Sequence, residues 1–132
     1  MKKYDNFCKA LSNLQDIYRY EEPYDNVILT GLVALFEICF EQSWKCMKEI
    51  LTIEGIEAAT TGSPKSVIKE AYQVGLITDA ETWLSALASC NNVAHSYNEL
   101  VAKDIVIQTK EKYVSLFYEL KLSVENRLKD NF

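Results

Sequence analysis

Apolar residues recur along this chain at steps of three and four, which is the spacing of one face of an α-helix. In the first segment this stripe consists of Tyr4, Phe7, Leu11, Leu14 and Tyr18. A break follows at Pro23, because proline cannot occupy a helix interior. The pattern therefore predicts a first amphipathic helix that ends before this proline.

The longest apolar pattern runs from about Asp25 to about Glu54 and predicts the most buried helix of the fold. Its main stripe consists of Ile28, Leu32, Leu35, Cys39, Cys46, Met47 and Ile50, and it is widened by Val33, Phe36, Phe40 and Trp44. Glu37 interrupts the apolar run, and the rest of the helix is charged. We therefore expect this segment to fall short of a membrane span.

A narrow polar seam on the same helix consists of Glu37, Glu41, Lys45 and Lys48. Two interpretations are open. The seam can be a solvated edge on which Glu41 and Lys45 form an i,i+4 ion pair, and this is the more common arrangement. Alternatively, Glu37 and Glu41 point into a binding site.

Helix-breaking residues and N-capping residues indicate where the remaining helices begin and end. After a loop, "GIEAATTGSP", Ser63 can cap a third helix that begins at Pro64 and ends at Gly75. Capping-box spacings predict the starts of the fourth and fifth helices at Thr78 with Glu81 and at Ser96 with Glu99. Their apolar stripes are Trp83, Leu87, Cys90 and Ala94 on the fourth, and Ala102, Val106, Tyr113, Phe117, Leu120, Val124 and Leu128 on the fifth. We predict one domain over residues 1–132, an all-α, up-and-down four-helix bundle with about five helices.

The composition and net charge of the chain disfavour several classes of function. The chain has 132 residues and a net charge of -5, and it lacks a lysine–arginine cluster, so broad binding to a nucleic-acid backbone is disfavoured. The N-terminal segment has no apolar signal core, and we expect a cytoplasmic protein. The 4 cysteines form no C-x-x-C pair, and 1 histidine cannot complete a usual zinc site. We predict buried free thiols, no metal and no cofactor.

One stretch, "NNVAHSY", collects hydrogen-bonding groups at the end of the fourth helix. Asn91 and His95 are four residues apart and continue the line of Leu84 and Ala88, at the edge of the apolar stripe. Tyr97 lies just beyond the predicted break. These groups are expected near a helix junction, partly facing the bundle, where they can bind a small polar ligand. The alternative is that the asparagines cap a fraying helix end and His95 only stabilises the turn.

Three blocks resemble, in order and spacing, the nucleotidyltransferase substrate-binding family, a branch of the HEPN superfamily of small helical proteins. The blocks are "GLVALFEICFEQSWKCMKEIL", "SPKSVIKEAYQVGLITDAETWLSAL" and "NNVAHSY". The resemblance spans about Val27 to about Val101. It implies a homodimeric helical bundle and a separate partner, a minimal nucleotidyltransferase, which supplies the metal-binding carboxylates and the transfer chemistry. A heterotetramer with that partner and a nucleotide or RNA ligand are also implied.

In related toxin–antitoxin pairs the helical chain is a ribonuclease. Its motif is an arginine, four to six residues, a histidine, and a tyrosine two residues later, to which the partner attaches nucleotide. By this resemblance His95 and Tyr97 match the motif, and Asn91 matches the asparagine that commonly follows the arginine. The arginine itself would fall at Ala88, Ser89 or Cys90, and none of these is basic.

Without that cation, nothing in the motif stabilises the charge that develops on a phosphodiester during cleavage. We therefore predict a non-catalytic partner of a nucleotidyltransferase, with a substrate-binding groove at Asn91, His95, Tyr97, Glu37 and Glu41. Tyr97 is also a candidate nucleotidylation target. The alternative functions are a HEPN-type ribonuclease toxin that has degenerated, and a helical dimerisation scaffold that binds no ligand.

Overall fold

The computed structural model describes residues 1–57, 62–95 and 97–131, and the regular elements within them are helical. In chain order they are α1 (Lys2–Leu14), a 3₁₀ turn (Gln15–Arg19), α2 (Asn26–Ile53), α3 (Pro64–Gln73), α4 (Ala80–His95), α5 (Glu99–Gln108), a π-helical turn (Thr109–Tyr113) and α6 (Val114–Asn131). Since α5, the π-helical turn and α6 follow one another without interruption, the described residues form five helical rods. This confirms the predicted all-α bundle.

Helix α2 lies at the centre of the bundle and packs against α1, α3 and α5. Lys3, near the start of α1, shares a groove with Ile53 at the end of α2, so these two helices run antiparallel. The core is built on aromatic rings: Phe36 stacks on Tyr113 with centroids 5.1 Å apart, and Trp83 meets the edge of Phe117 at 5.5 Å. Burial of such large rings supplies much of the apolar stabilisation of a small domain.

The structure confirms some of the predicted helix boundaries. Ser63 Oγ accepts a hydrogen bond from the backbone N–H of Ser66 at 3.3 Å, and Pro64 is the first residue of α3. Gly75 follows α3 with φ of 77°, a left-handed conformation that glycine adopts without steric cost. Residues 58–61 of the predicted loop lie outside the described part of the chain.

The predicted start of α4 is wrong by one residue. Asp79, and not Thr78, caps this helix: its Oδ1 accepts from the Thr82 N–H at 3.0 Å and its Oδ2 accepts from the Thr82 hydroxyl at 2.7 Å. An aspartate caps at least as well as a threonine, and here it also finds a hydroxyl donor three residues later. The two bonds lower the pKa of the Asp79 carboxyl below its usual range.

Helix α2 is long and apolar enough, by length and composition alone, to cross a membrane. This corrects the expectation that its apolar run falls short of a span. The core helix of a soluble bundle passes the same test, and the buried positions of α2 pack against its neighbours. The two thiols of this helix, Cys39 and Cys46, are buried and unbonded as predicted, whereas Cys8 and Cys90 are half-buried.

The π-helical turn (Thr109–Tyr113) has no counterpart in the sequence prediction, which assumes a regular helical repeat. Thr109 Oγ1 donates to the Ile105 carbonyl at 2.6 Å, and the Tyr18 hydroxyl donates to the Lys110 carbonyl at 2.9 Å. The Lys110 ammonium reaches the Tyr20 carbonyl at 2.6 Å. The hydrogen bonds of Tyr18 and Tyr20 to Lys110 hold the 3₁₀ turn after α1 against the π-helical turn.

Candidate functional site

Asn91 and His95 lie on the last two turns of α4, and both are exposed. The buried residues of this helix are Trp83, Ala86 and Val93. Because a helix advances about 100° per residue, positions two residues from Val93 lie close to the opposite face. The expectation that Asn91 and His95 partly face the bundle is therefore wrong, and in a single chain they face solvent.

Tyr97 lies in the connection between α4 and α5, and its neighbour Ser96 is outside the described residues. Its hydroxyl is 2.9 Å from Thr30 Oγ1, on the first turns of α2. Helix α5 begins at Glu99, where the Asn98 carboxamide accepts from the Val101 N–H at 3.0 Å. The predicted cap at Ser96 is thus replaced by Asn98, and Tyr97 is tied to α2 with its side chain 46% exposed.

Two residues of the polar seam on α2, Glu37 and Glu41, act electrostatically on Cys90 of α4. Burial, together with the negative charges of Glu37 and Glu41, raises the pKa of the Cys90 thiol to about 12. The pKa of Glu37 is itself raised, because its carboxylate is partly desolvated. Glu41 accepts from Trp44 Nε1 at 3.3 Å and pairs with Lys45 at 3.0 Å. The Glu41–Lys45 pair confirms the ion pair of the first interpretation, and a binding role of Glu37 and Glu41 stays a prediction.

A second polar contact between α4 and the end of the π-helical turn was missed at the sequence level. Tyr113 is 1% exposed, and its hydroxyl lies 3.0 Å from Ser85 Oγ and 3.1 Å from Ser89 Oγ. The i,i+4 spacing of the two serines on the border of the apolar stripe is the only sequence signal for this contact. It satisfies the buried phenol and fixes α4 against the carboxyl-terminal rod.

Among the described residues, no group of three or more histidine, cysteine, aspartate or glutamate side chains is arranged to hold a metal ion. The candidate site residues themselves offer carboxylates, carboxamides, an imidazole and a phenol, and Cys90 beside them is a neutral thiol.

A sequence profile described as "nucleotidyltransferase substrate binding protein like" matches residues 2–126. The chain belongs to this family. The match extends beyond the predicted resemblance at both ends and includes α1 and most of α6.

Two individual proteins are also similar to this nucleotidyltransferase substrate-binding-like chain. It is 28% identical over 85 residues to a protein of Haemophilus influenzae named "Probable ribonuclease HepT", an alignment that covers 63% of this chain. That alignment spans 58% of the length of this curated relative. A protein of Thermus thermophilus with a known crystal structure is 30% identical, covers 86% of this chain and 94% of its own, and superposes with a TM-score of 0.74.

An apolar stripe on α2 lies next to the candidate site and faces solvent in the single chain. Val27 is 80% exposed and Ile38 is 53% exposed, and Gly31 and Ala34 lie between them at helical spacing. Tyr97 adjoins this stripe through its bond to Thr30. We call the four residues Val27, Gly31, Ala34 and Ile38 the α2 face.

Proposed function

We propose that this chain is the non-catalytic, substrate-binding partner of a minimal nucleotidyltransferase and that it acts in the cytoplasm. Asn91, His95, Tyr97, Glu37 and Glu41 form its binding site. The observation that carries the proposal is Cys90, a half-buried thiol immediately before Asn91 and, with Ala88 and Ser89, one of the three positions at which the family resemblance indicates an arginine.

A cation at this position would bind the scissile phosphate and stabilise its developing charge. The Cys90 thiol is neutral at physiological pH, and the two groups that raise its pKa electrostatically are carboxylates. Negative charge beside the site opposes a phosphodiester transition state. The arrangement therefore favours recognition without cleavage.

The binding site needs a second copy of the chain to become enclosed. In one chain Asn91 and His95 are exposed, and the α2 face exposes apolar side chains next to Tyr97. Association of two α2 faces would bury Val27 and Ile38 and place two sets of site residues at one interface. Gly31 would allow the two helices to approach closely, because it has no side chain. We infer a homodimer, and a heterotetramer when each copy binds a nucleotidyltransferase.

Tyr97 is the candidate acceptor for nucleotidyl transfer by the partner. Its phenol is nearly half-exposed, and it contacts Thr30 through a single hydrogen bond that an incoming nucleotide can displace. Mass spectrometry after incubation with the transferase, magnesium and ATP would detect an added nucleotidyl group, and Tyr97→Phe would abolish it.

The partner hypothesis is tested by mixing this protein with the minimal nucleotidyltransferase encoded in the adjacent reading frame, followed by size-exclusion chromatography with light scattering. We expect co-elution as a complex. His95→Ala should leave the complex intact and weaken binding of the substrate. Separate elution of the two proteins at micromolar concentration would contradict the proposal.

A second candidate function is a HEPN-type ribonuclease, which is favoured by the relative named as a probable ribonuclease. Incubation of the purified chain with a mixed RNA substrate distinguishes the two functions. We expect no cleavage above that of the His95→Ala variant. Cleavage that is lost in this variant would establish the ribonuclease and would show that the missing arginine is dispensable.

A further inference from the structure

A groove of about 520 Å³ lies between the start of α1 and the carboxyl-terminal half of α2. Its size falls within the range of small-molecule sites, roughly 300–1,000 Å³. Trp44 and Ile53 form its apolar part, and three lysines line it: Lys3, Lys45 and Lys48. It is formed from the end of α2 opposite to Thr30 and Tyr97, and it adjoins the binding site proposed above at Glu41, which bonds to Trp44 and Lys45.

The charge of this groove contrasts with that of the whole chain, whose net charge is -5. Lys45 is paired with Glu41, but Lys3 and Lys48 make no ion pair with a described residue. Lys3 also lies in the first turn of α1, where the backbone N–H groups have no side-chain cap and carry the positive end of the helix dipole. These features favour an anionic group at the α1 side of the groove.

The other side of the groove favours a planar ring. The Trp44 indole is partly exposed there, and aromatic side chains bind nucleobases by stacking with little dependence on the base. Glu49 also lines the groove. A carboxylate in the wall suits a ligand that carries N–H or O–H donors, as a base and a ribose do, and it disfavours a bare inorganic anion.

We propose that this groove binds a nucleotide, with its phosphates at Lys3 and Lys48 and its base on Trp44. This site is additional to Asn91, His95 and Tyr97 and does not rest on the proposed role of those residues. It gives the chain a nucleotide site of its own. Lys45 of this groove pairs with Glu41, which is one of the two carboxylates that act on Cys90.

Isothermal titration calorimetry of the full chain with ATP and GTP tests the site. We expect saturable binding that Lys3→Gln together with Lys48→Gln weakens about tenfold, because two weak surface charge contacts are lost. The matched control, Lys65→Gln together with Lys69→Gln on α3, makes the same change of net charge at exposed positions and should retain wild-type affinity. An equal loss in both double variants would show non-specific charge attraction and overturn the site.

Tryptophan fluorescence excited at 295 nm gives an independent signal. Trp83 is 1% exposed, so quenching by bound nucleotide would report Trp44 alone. Trp44→Phe should retain binding, because the ring is kept, and Trp44→Leu should reduce it. Sodium triphosphate that binds as tightly as ATP would show that no ring is recognised, and absence of binding at millimolar ATP would also overturn the proposal.

Two further outcomes separate this site from its alternatives. If His95→Ala loses ATP binding and the Lys3 and Lys48 variant does not, nucleotide binds at the motif, and this inference fails while the proposed function stands. If a hexaglutamate peptide displaces ATP at equal concentration, the groove recognises acidic protein segments and the nucleotide assignment is wrong.

Discussion

Cys90 is a thiol that keeps its proton over a wide pH range, because burial and the carboxylates of Glu37 and Glu41 oppose its ionisation. A thiol in the unfolded chain ionises near pH 8.5. Between that value and its folded pKa of about 12, unfolding releases the proton, so rising pH favours the unfolded state. The same sign applies to Cys39 and Cys46, whose pKa values are also raised by burial.

We therefore predict that the free energy of unfolding falls as pH rises from 8.5 to 10.5, by up to about 1.4 kcal/mol per pH unit for each such thiol. Cys90→Ala should remove one thiol's share of this slope and leave the slope between pH 6 and 7.5 unaltered. Urea denaturation at a series of pH values measures it. An identical alkaline slope in the variant and the wild type would contradict the burial of this thiol.

Glu37 is predicted to cost stability at neutral pH, because folding raises the pKa of its carboxyl by partial desolvation. An acid whose folded pKa is raised destabilises the fold once pH exceeds its unfolded value, about 4.3. Glu37→Gln should therefore raise the melting temperature at pH 7, by a small amount because this side chain is only partly removed from solvent. The gain should vanish near pH 3, where both side chains are neutral. A lower melting temperature for the variant at pH 7 would mean that Glu37 has a stabilising partner in the assembled protein.

At the scale of the helix, substitutions at the start of α4 distinguish the observed N-cap, Asp79, from the predicted one, Thr78. Asp79→Ala should destabilise the fold by about 1 kcal/mol, the usual cost of losing an N-cap, whereas Thr78→Ala should cost less. Because the Asp79 pKa is lowered in the fold, its contribution is present at neutral pH and is lost as pH falls through the folded value. Thermal unfolding of both variants at pH 7 and pH 3 gives the comparison, and a larger effect of Thr78→Ala would restore the capping box.

Most of the helices could be predicted from the sequence, because their apolar periodicity and their breakers agree. The span of α2 is predicted within one residue at each end, and Pro64 and Gly75 bound α3 as expected. The starts of α4 and α5 are displaced because several capping residues stand side by side there, and only the local hydrogen bonds select among them. The π-helical turn could not be predicted, because the spacing of apolar residues was interpreted with a single α-helical repeat.

The exposure of the candidate site residues could not be predicted from the sequence, and their membership of one site stays a prediction. The motif spacing selects Asn91, His95 and Tyr97, but the face of α4 that is buried depends on how the helix is rotated against α2, which Val93 decides by packing inward. The groove beside Trp44 is absent from the prediction for a related reason. Its lysines come from α1 and α2, and no local pattern shows that these positions meet.

At the scale of the whole molecule, the α2 face predicts self-association. Ile38→Glu should shift the protein to a monomer, because a charge cannot be buried between two apolar faces without a partner. Leu122→Glu is the matched control, since Leu122 is 60% exposed on α6 and the same charge is introduced there. Analytical ultracentrifugation of both variants at micromolar concentration gives the result, and a wild type that is monomeric in this range would contradict the dimer.

The π-helical turn (Thr109–Tyr113) sets how the side chains of α6 are rotated relative to those of α5. Its five residues rotate the chain by about as much as four residues of α-helix, so the turn holds one residue more than a regular helix would. Removing one residue from it would restore a regular helix and keep Phe117, Leu120 and Val124 on the buried side, whereas a deletion elsewhere in this rod would rotate them by about 100°. Alignments of relatives should therefore place single-residue deletions in this rod at the π-helical turn.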